Sequence, residues 1–465
     1  MDFINYKYVT LALLCALPAC QPGQKKENVS DKGVTLVTLA PGHFHASLVQ
    51  KEPLDGVSND VYVYAPEGAE VEQHLLRIKS FNERKENPTS WNEIVYKGSD
   101  FLQKMLKDKS GDVVVLAGNN RDKTDYILQS VEAGMNVLAD KPMAISKENF
   151  GKLEKAFTVA REKGLELYDI MTERYDIHST VQRMLLQEKE LFGELTAGTE
   201  SEPAVEVESV HHFYKVVSGI PLIRPDWYYD VEQQGEGLVD VTTHLVDLIH
   251  WKCFPEQIID YHKNVEVLAA SRWATPISSY QFKLSTGCTQ YPDFLQKYVQ
   301  DSTLMVYANG NFTYKVNGVY AKVDVIWNFE APEGTGDTHR CIIKGSNAVL
   351  SILQDKEQDY MPKLYVSMSE KGDKQLFESK LAAAVAKIQK TYPGVECKED
   401  ASADRWEICI PEKYAEGHEA HFTRVIEKYL GYLKNHDMPD WEVPNMLAKY
   451  YITTTALDMA RQSGK

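Results

Sequence analysis

Positive charge is scarce in this 465-residue sequence: 51 Lys and Arg stand against 67 Asp and Glu, a formal net charge of −16 at pH 7. Such a surface repels nucleic acid and anionic membranes, so neither is expected as an electrostatic partner. The apolar run from Tyr8 to Ala19 is too short to span a bilayer. Cysteine is sparse at seven, and no pair has zinc-ligand spacing. His43-x-His45, His211-His212 and His418-x-x-His421 lack the pattern of a zincin, so no metal is expected. There is no twin-Arg pair and no internal repeat. With 43% hydrophobic and 10% aromatic residues the chain can bury a large core, which excludes a disordered protein, and its length suggests two or three domains.

Met1 to Ala19 has the layout of a secretory signal peptide, and its ending Leu17-Pro18-Ala19-Cys20 resembles the lipobox of bacterial lipoproteins. That resemblance implies an exported, periplasm-facing protein held to the membrane by lipid on Cys20, with residues 20–33 as a polar tether. Cys253, Cys288, Cys341, Cys397 and Cys409 remain, an odd number. Either Cys397 and Cys409 close a local bridge, or all five are buried thiols.

Periodicity then sets the fold class. Val34 to Leu39 is a strand, followed by the turn Ala40-Pro41-Gly42-His43-Phe44-His45 and a helix. Strands follow at Val61–Tyr64, Asp112–Ala117 and Val137–Ala139, with a helix from Thr124 to Ala133 ended by Gly134 as a left-handed cap. Strands alternating with helices imply an α/β, doubly wound, Rossmann-type parallel sheet over residues 34–166. In such a sheet a dinucleotide binds outside the strand carboxyl ends. Only the central glycine of a G-x-G-x-x-G fingerprint is present, and Tyr64 stands where an acidic residue usually ends the second strand.

Two blocks add a specific resemblance. Ala133-Gly134-Met135-Asn136-Val137-Leu138-Ala139-Asp140-Lys141-Pro142-Met143-Ala144 resembles the A-G-K-H-V-x-x-E-K-P-x-A block of the Gfo/Idh/MocA oxidoreductases, with Asp140 in place of Glu. Gly235-Glu236-Gly237-Leu238-Val239-Asp240-Val241-Thr242-Thr243-His244-Leu245-Val246-Asp247 resembles the family's G-G-G-x-L-x-D-x-G-x-H-x-x-D. Asn119 matches the Asn of its T-P-N turn, and the likeness covers Val34 to Pro255, with a C-terminal extension like that of bacteroidete-type lipoprotein members.

The resemblance implies a tightly held nicotinamide cofactor, NAD ahead of NADP, contacted by Gly42, His43, Phe44, His45, Tyr64, Gly118, Asn119, Asn120, Asp140 and Lys141. It implies Lys141, Asp240 and His244 as the catalytic group on a sugar hydroxyl or ketone, a cis Lys141-Pro142 bond, and a homo-oligomer. On spacing alone, Asp240 and His244 share one face of a helix from Gly237 to Trp251. That pair is either an acid/base unit or a helix-face hydrogen bond. His244, with an unperturbed pKa of about 6.5, would take the hydroxyl proton while the Lys141 ammonium stabilises the oxygen.

Arg174, Trp227 and Tyr228 are either sugar contacts or core and ion-pair residues. Of His211 and His212, on a strand, one ring faces in and one out. Residues 167–465 read as an α+β substrate-binding and oligomerisation domain with a large open, mostly antiparallel sheet, Asn309-Gly310 and Asn317-Gly318 marking hairpins. Phe422–Leu433 and Pro444–Met459 read as closing helices. The expected activity is an NAD-dependent sugar or glycoside dehydrogenase, glycoside 3-dehydrogenation included. The alternatives are an NAD-assisted glycoside hydrolase working by oxidation and elimination, and a non-catalytic carbohydrate-binding lipoprotein.

Overall fold

The computed structural model describes residues 33–217, 220–370, 372–400 and 402–463. The expected signal peptide, the expected lipidation site Cys20 and the expected tether as far as Lys32 lie outside the described residues. Among those described, no helix is long and apolar enough to cross a membrane.

β1 (Leu36–Leu39) and β4 (Val113–Leu116) are apolar except for Thr38 because both sheet faces are covered, and every residue of each is buried. With β2 (Asp60–Ala65), β3 (Asn92–Lys97), β5 (Asn136–Asp140) and β6 (Leu167–Ile170) they form a parallel sheet in the order β3-β2-β1-β4-β5-β6. β6 falls beyond the boundary expected at residue 166, so this first unit runs through Ile170. The crossovers are α1 (His45–Leu48), α2 (Ala69–Glu83), α3 (Phe101–Asp108), α4 (Lys123–Glu132) and α5 (Lys147–Lys163). Local chemistry explains several boundaries. Gly134 follows α4 with φ +89°, and α5 opens on Ser146, whose side chain accepts from the Asn149 N–H, and closes on Gly164 at φ +62°. The strand order reverses between β1 and β4, which opens a crevice at their carboxyl ends.

The remainder builds a ten-stranded sheet from β7 (Val205–Tyr214), β8 (Val265–Ser278), β9 (Thr303–Val316), β10 (Val319–Glu330), β11 (Thr338–Lys344), β12 (Ala348–Gln354), β13 (Lys363–Met368), β14 (Glu396–Asp400) and β15 (Arg405–Cys409), with Val299–Gln300 added to β9. Its order is β8-β9-β10-β7-β11-β12-β13-β15-β14, antiparallel except for β10 beside β7. The Asn317-Gly318 hairpin forms, with φ +49° and +83° at its two residues. Asn309-Gly310 makes no turn: β9 runs straight through it. The buried Asn309 amide bonds the Trp273 carbonyl and Thr275 at a bulge in β8, and a Cβ on Gly310 would meet Leu238 at 2.6 Å.

α6 (Thr242–Cys253) starts later than spacing suggests. Gly237–Val239 is a 3-10 turn, because Gly237 is pressed so closely on β9 that a Cβ would stand 1.9 Å from the Ala308 carbonyl oxygen. Two long helices, α7 (His418–Asn435) and α8 (Glu442–Gln462), close the molecule and extend both expected helical spans. The main core is continuous from β1 to α8. Cys397 pairs with Ile408 and Cys409 with Glu396, so the two thiols are one position out of register on opposite faces, and both are free. The alternative of five buried thiols fails too, since Cys341 alone of the five is fully buried.

Candidate active site

Two adjoining cavities open at the crevice. The smaller, about 190 Å³, is a groove lined by the β1 turn (Ala40, Gly42), the β4 turn (Gly118, Asn119), Pro66 after β2, and Glu70, Val71, Phe101 and Tyr126 from the crossovers. Its two turns lie so close that a Cβ on Gly118 would stand 2.5 Å from the Ala40 carbonyl oxygen and 2.8 Å from the Gly42 nitrogen. Glycine is therefore required there by the fold of the groove itself. The lining fits a dinucleotide: apolar and aromatic surface for a flat base, and the Glu70 carboxylate for ribose hydroxyls. Glu70 is held by the Trp227 indole N–H at 2.7 Å. It was invisible in the sequence because it sits on α2, past the position where the motif expects an acid.

The larger cavity, about 710 Å³, meets the groove at Gly118. Its inner wall carries His43, Phe44, His45, Asn120, Asp140, Lys141, Asp240 and His244. Lys141 follows β5 across a cis bond to Pro142, as the resemblance implied. Its ammonium donates to Asp240 Oδ1 at 2.7 Å, and Gln234 donates to Asp240 Oδ2 at 3.1 Å. Burial works to raise the Asp240 carboxyl, but Lys141 and Gln234 outweigh it and hold it below the usual carboxylate range.

The expected Asp240–His244 pair does not form. Asp240 has φ −100° and ψ −92°, outside the helix, so the four-residue spacing no longer places it over His244. The His244 Nδ1 is buried without a partner. Burial, then the Lys141 ammonium, push this imidazole down to about 3, so it is neutral at any ordinary pH.

A second buried cation was also missed by sequence reasoning. The Lys123 ammonium donates to Asn120 Oδ1 at 2.5 Å and to the Asp140 carbonyl at 3.0 Å, and burial lowers it to about 8. A lysine in the first turn of a helix ordinarily points to water, so no local signal marks it.

Three expected site residues lie elsewhere. Tyr64 turns under the sheet, its hydroxyl 3.0 Å from both Asp108 and Ser110, because the side chain before the last of β2 points away from the crevice. Arg174 is buried in a fork with Asp247 at 2.6 and 2.8 Å and with Glu442 at 3.0 Å. Trp227 is packed against the groove's outer rim through Glu70 and does not line the larger cavity. Tyr228 does line it, beneath the Arg224 guanidinium at 4.5 Å.

The far wall is the ten-stranded sheet. Ser209 and His211, two apart on β7, share one face, with the serine oxygen 2.7 Å from His211 Nε2. Asp337 takes His211 at 3.4 Å and His212 at 2.9 Å, and pairs with Lys215. Burial would raise the Asp337 carboxyl, but these three partners hold it well below its usual range. His212 is the buried member and His211 the one facing the cavity, as the strand alternation required.

Comparison with known proteins agrees with this architecture. Residues 45–168 match the family profile described as "Oxidoreductase family, NAD-binding Rossmann fold", and residues 181–461 match "Putative oxidoreductase C terminal domain". The crystal structure of a "putative oxidoreductase" from Parabacteroides merdae is 54% identical with a TM-score of 0.91, covering 93% of this chain and 98% of that one. A levoglucosan dehydrogenase in complex with NADH and levoglucosan is 13% identical, TM-score 0.57, with coverage of 92% and 97%. A 3-ketoreductase from Actinomadura kijaniata in complex with TDP-benzene and NADP is 14% identical, TM-score 0.52, with coverage of 92% and 97%. The last two share the fold. No curated protein matched the chain. The chain belongs to the Gfo/Idh/MocA family of NAD-binding oxidoreductases.

Proposed function

We propose that this oxidoreductase moves hydride between NAD and a carbinol or ketone carbon of a sugar or glycoside, as an exported, lipid-anchored protein that retains its cofactor between turnovers. One observation carries this reading: Lys141 and His244 line a single cavity that joins the dinucleotide groove at Gly118. Structural relatives that hold levoglucosan with NADH, or act as a 3-ketoreductase, support it. Glu70 favours NAD, since a carboxylate bonds ribose hydroxyls and repels a 2′-phosphate.

A nicotinamide cofactor, its dinucleotide held by the groove, would supply the hydride acceptor or donor. The protein's own groups manage the oxygen. Lys141, as an ammonium preorganised by Asp240, stabilises negative charge on the substrate oxygen as the O–H proton leaves. Neutral His244 accepts that proton. Burial, then the field of Lys141, depress its proton affinity, which rises as the new negative charge on the oxygen offsets part of both. Ser209, His211 and Asp337 on the sheet wall offer the donors and acceptors that a polyol requires.

The direct test denatures the purified protein, assays the extract for nicotinamide, and then supplies glycosides with NAD or NADP, reading product mass and reduced cofactor. Bound NAD and a keto product support the reading. No nicotinamide and no product from any sugar overturn it. Phenol release from an aryl glycoside without net NADH would move the assignment to oxidation–elimination hydrolysis.

A pH dependence follows from His244. An imidazole with a lowered pKa stays in its proton-accepting form above about 3 and loses it only below. The free-enzyme profile of kcat/KM is therefore expected to show no acid limb between pH ~8 and ~5, where an ordinary histidine base would give one near ~6.5. A limb near that value, abolished in His244→Gln, would contradict the assignment of a depressed base.

A further inference from the structure

The first turn of the sheet carries imidazoles that do not line the smaller groove. His43 and His45 flank Phe44 at the end of β1, and all three point into the larger cavity, not the groove. Their rings stand edge to face with centroids 4.0 Å apart. From β5, Asp140 reaches across: its Oδ2 lies 2.8 Å from His45 Nδ1. One ligand atom from each of His43, His45 and Asp140 can be chosen so that all lie within 4.8 Å of one another. The spacing His-x-His gave no metal signal alone, since the third donor is 95 residues away from the second.

The distances suit a coordination shell. Donors ~2.1 Å from an ion stand about 3.0 Å apart at a right angle and about 3.4 Å apart in a tetrahedron. The His45–Asp140 separation already falls close to the first of these, and a His43 ring nitrogen lies within 4.8 Å of both. Charge points the same way. Asp140, Glu173, Asp176, Asp240 and Asp337 line the cavity against Lys141, Lys215 and Arg224, leaving two negative charges uncompensated. Lys141 is taken up by Asp240, and Lys123 is hydrogen-bonded to Asn120 and to the Asp140 backbone carbonyl, not to the Asp140 carboxylate. A neutral imidazole offers a ring-nitrogen lone pair to such an ion. Two imidazoles with one carboxylate exclude Mg2+ and Ca2+ as preferred occupants and select a first-row transition ion with positions left open.

We propose that His43, His45 and Asp140 bind one divalent first-row transition-metal ion, whose open coordination positions face the large cavity and accept oxygens of the molecule bound there. The site is independent of the sugar reading: it stands or falls on metal binding alone. The full chain, stripped with chelator and titrated with Co2+ alone, is expected to take up one equivalent with visible absorption bands, which Zn2+ displaces. Asp140→Asn, which preserves side-chain shape, and His45→Ala should each weaken Co2+ binding by at least ~10-fold. His262→Ala, on the surface, should leave it unchanged. Circular dichroism and thermal melts verify folding; if His45→Ala unfolds, Asp140→Asn decides. No stoichiometric Co2+ uptake, or undiminished uptake by folded Asp140→Asn, overturns the proposal.

Discussion

A Lys141→Met enzyme is expected to lose about 10²- to 10³-fold in kcat for glycoside-dependent NADH formation while still binding NAD, as when one preorganised donor to a developing oxyanion is removed. The dinucleotide groove excludes Lys141 from its lining, which is why cofactor affinity should survive. The substitution has a second consequence. Asp240 is buried, and without Lys141 it keeps Gln234 alone as a donor to its carboxylate. Leaving such a charge unpaired costs about 3–5 kcal/mol. Stability and rate must therefore be separated. In Lys141→Met/Asp240→Asn the uncompensated carboxylate is gone, so the melting temperature should return toward the parent value while kcat stays low. Steady-state rates and thermal melts on the single and double variants check both halves. A single variant within tenfold of the parent rate would remove Lys141 from the mechanism.

The other large effect belongs to stability. Arg174→Met is expected to lower the unfolding free energy by about 3–5 kcal/mol, because it takes the shared guanidinium from two buried carboxylates, Asp247 and Glu442, and leaves each with a single lysine as counter-charge. These groups belong to a network that ties the parallel sheet to the closing helices. Lys449 bonds Asp247 at 3.0 Å and Asp169 of β6 at 2.6 Å, and Lys428 bonds Glu442 at 2.9 Å. Burial opposes ionisation of Asp247 and Glu442, but for Asp247 the cations Arg174 and Lys449, and for Glu442 Arg174 and Lys428, outweigh it and depress both pKa values. A depressed carboxyl contributes stability above its unfolded pKa and loses it as pH falls through the folded one. Asp169, raised by burial, runs the opposite way. The parent protein should thus lose more stability than Arg174→Met between pH ~5 and acid. Since Arg174 does not line the cavity, any folded fraction of the variant should keep its KM for sugar. Denaturant melts across pH, with KM on the refolded variant, check this. A change confined to KM would restore Arg174 to the binding site.

The amino-acid sequence by itself determined the elements whose cause is local. The apolar runs of β1 and β4 declare strands covered on both faces, Gly134 ends α4, and Asn317-Gly318 turns a hairpin, because φ, ψ and burial pattern depend on near neighbours. Lys141, His244 and Asn119 were marked by the family resemblance of the blocks that carry them, and the fold places Asn119 in the groove and the other two in the large cavity. The tertiary structure decided partnership. Asp240 turned from His244 to Lys141, 99 residues distant, once the packing of Gly237 on β9 displaced it from the helix. Arg174 went to Asp247 and Glu442, 73 and 268 residues away, and does not line the large cavity. Tyr64 faced under the sheet, Glu70 came to line the groove, and Asp140 reached across to His45. A buried charge must find an opposite charge wherever the fold brings one, and that choice is made by contacts between distant segments that no local pattern records.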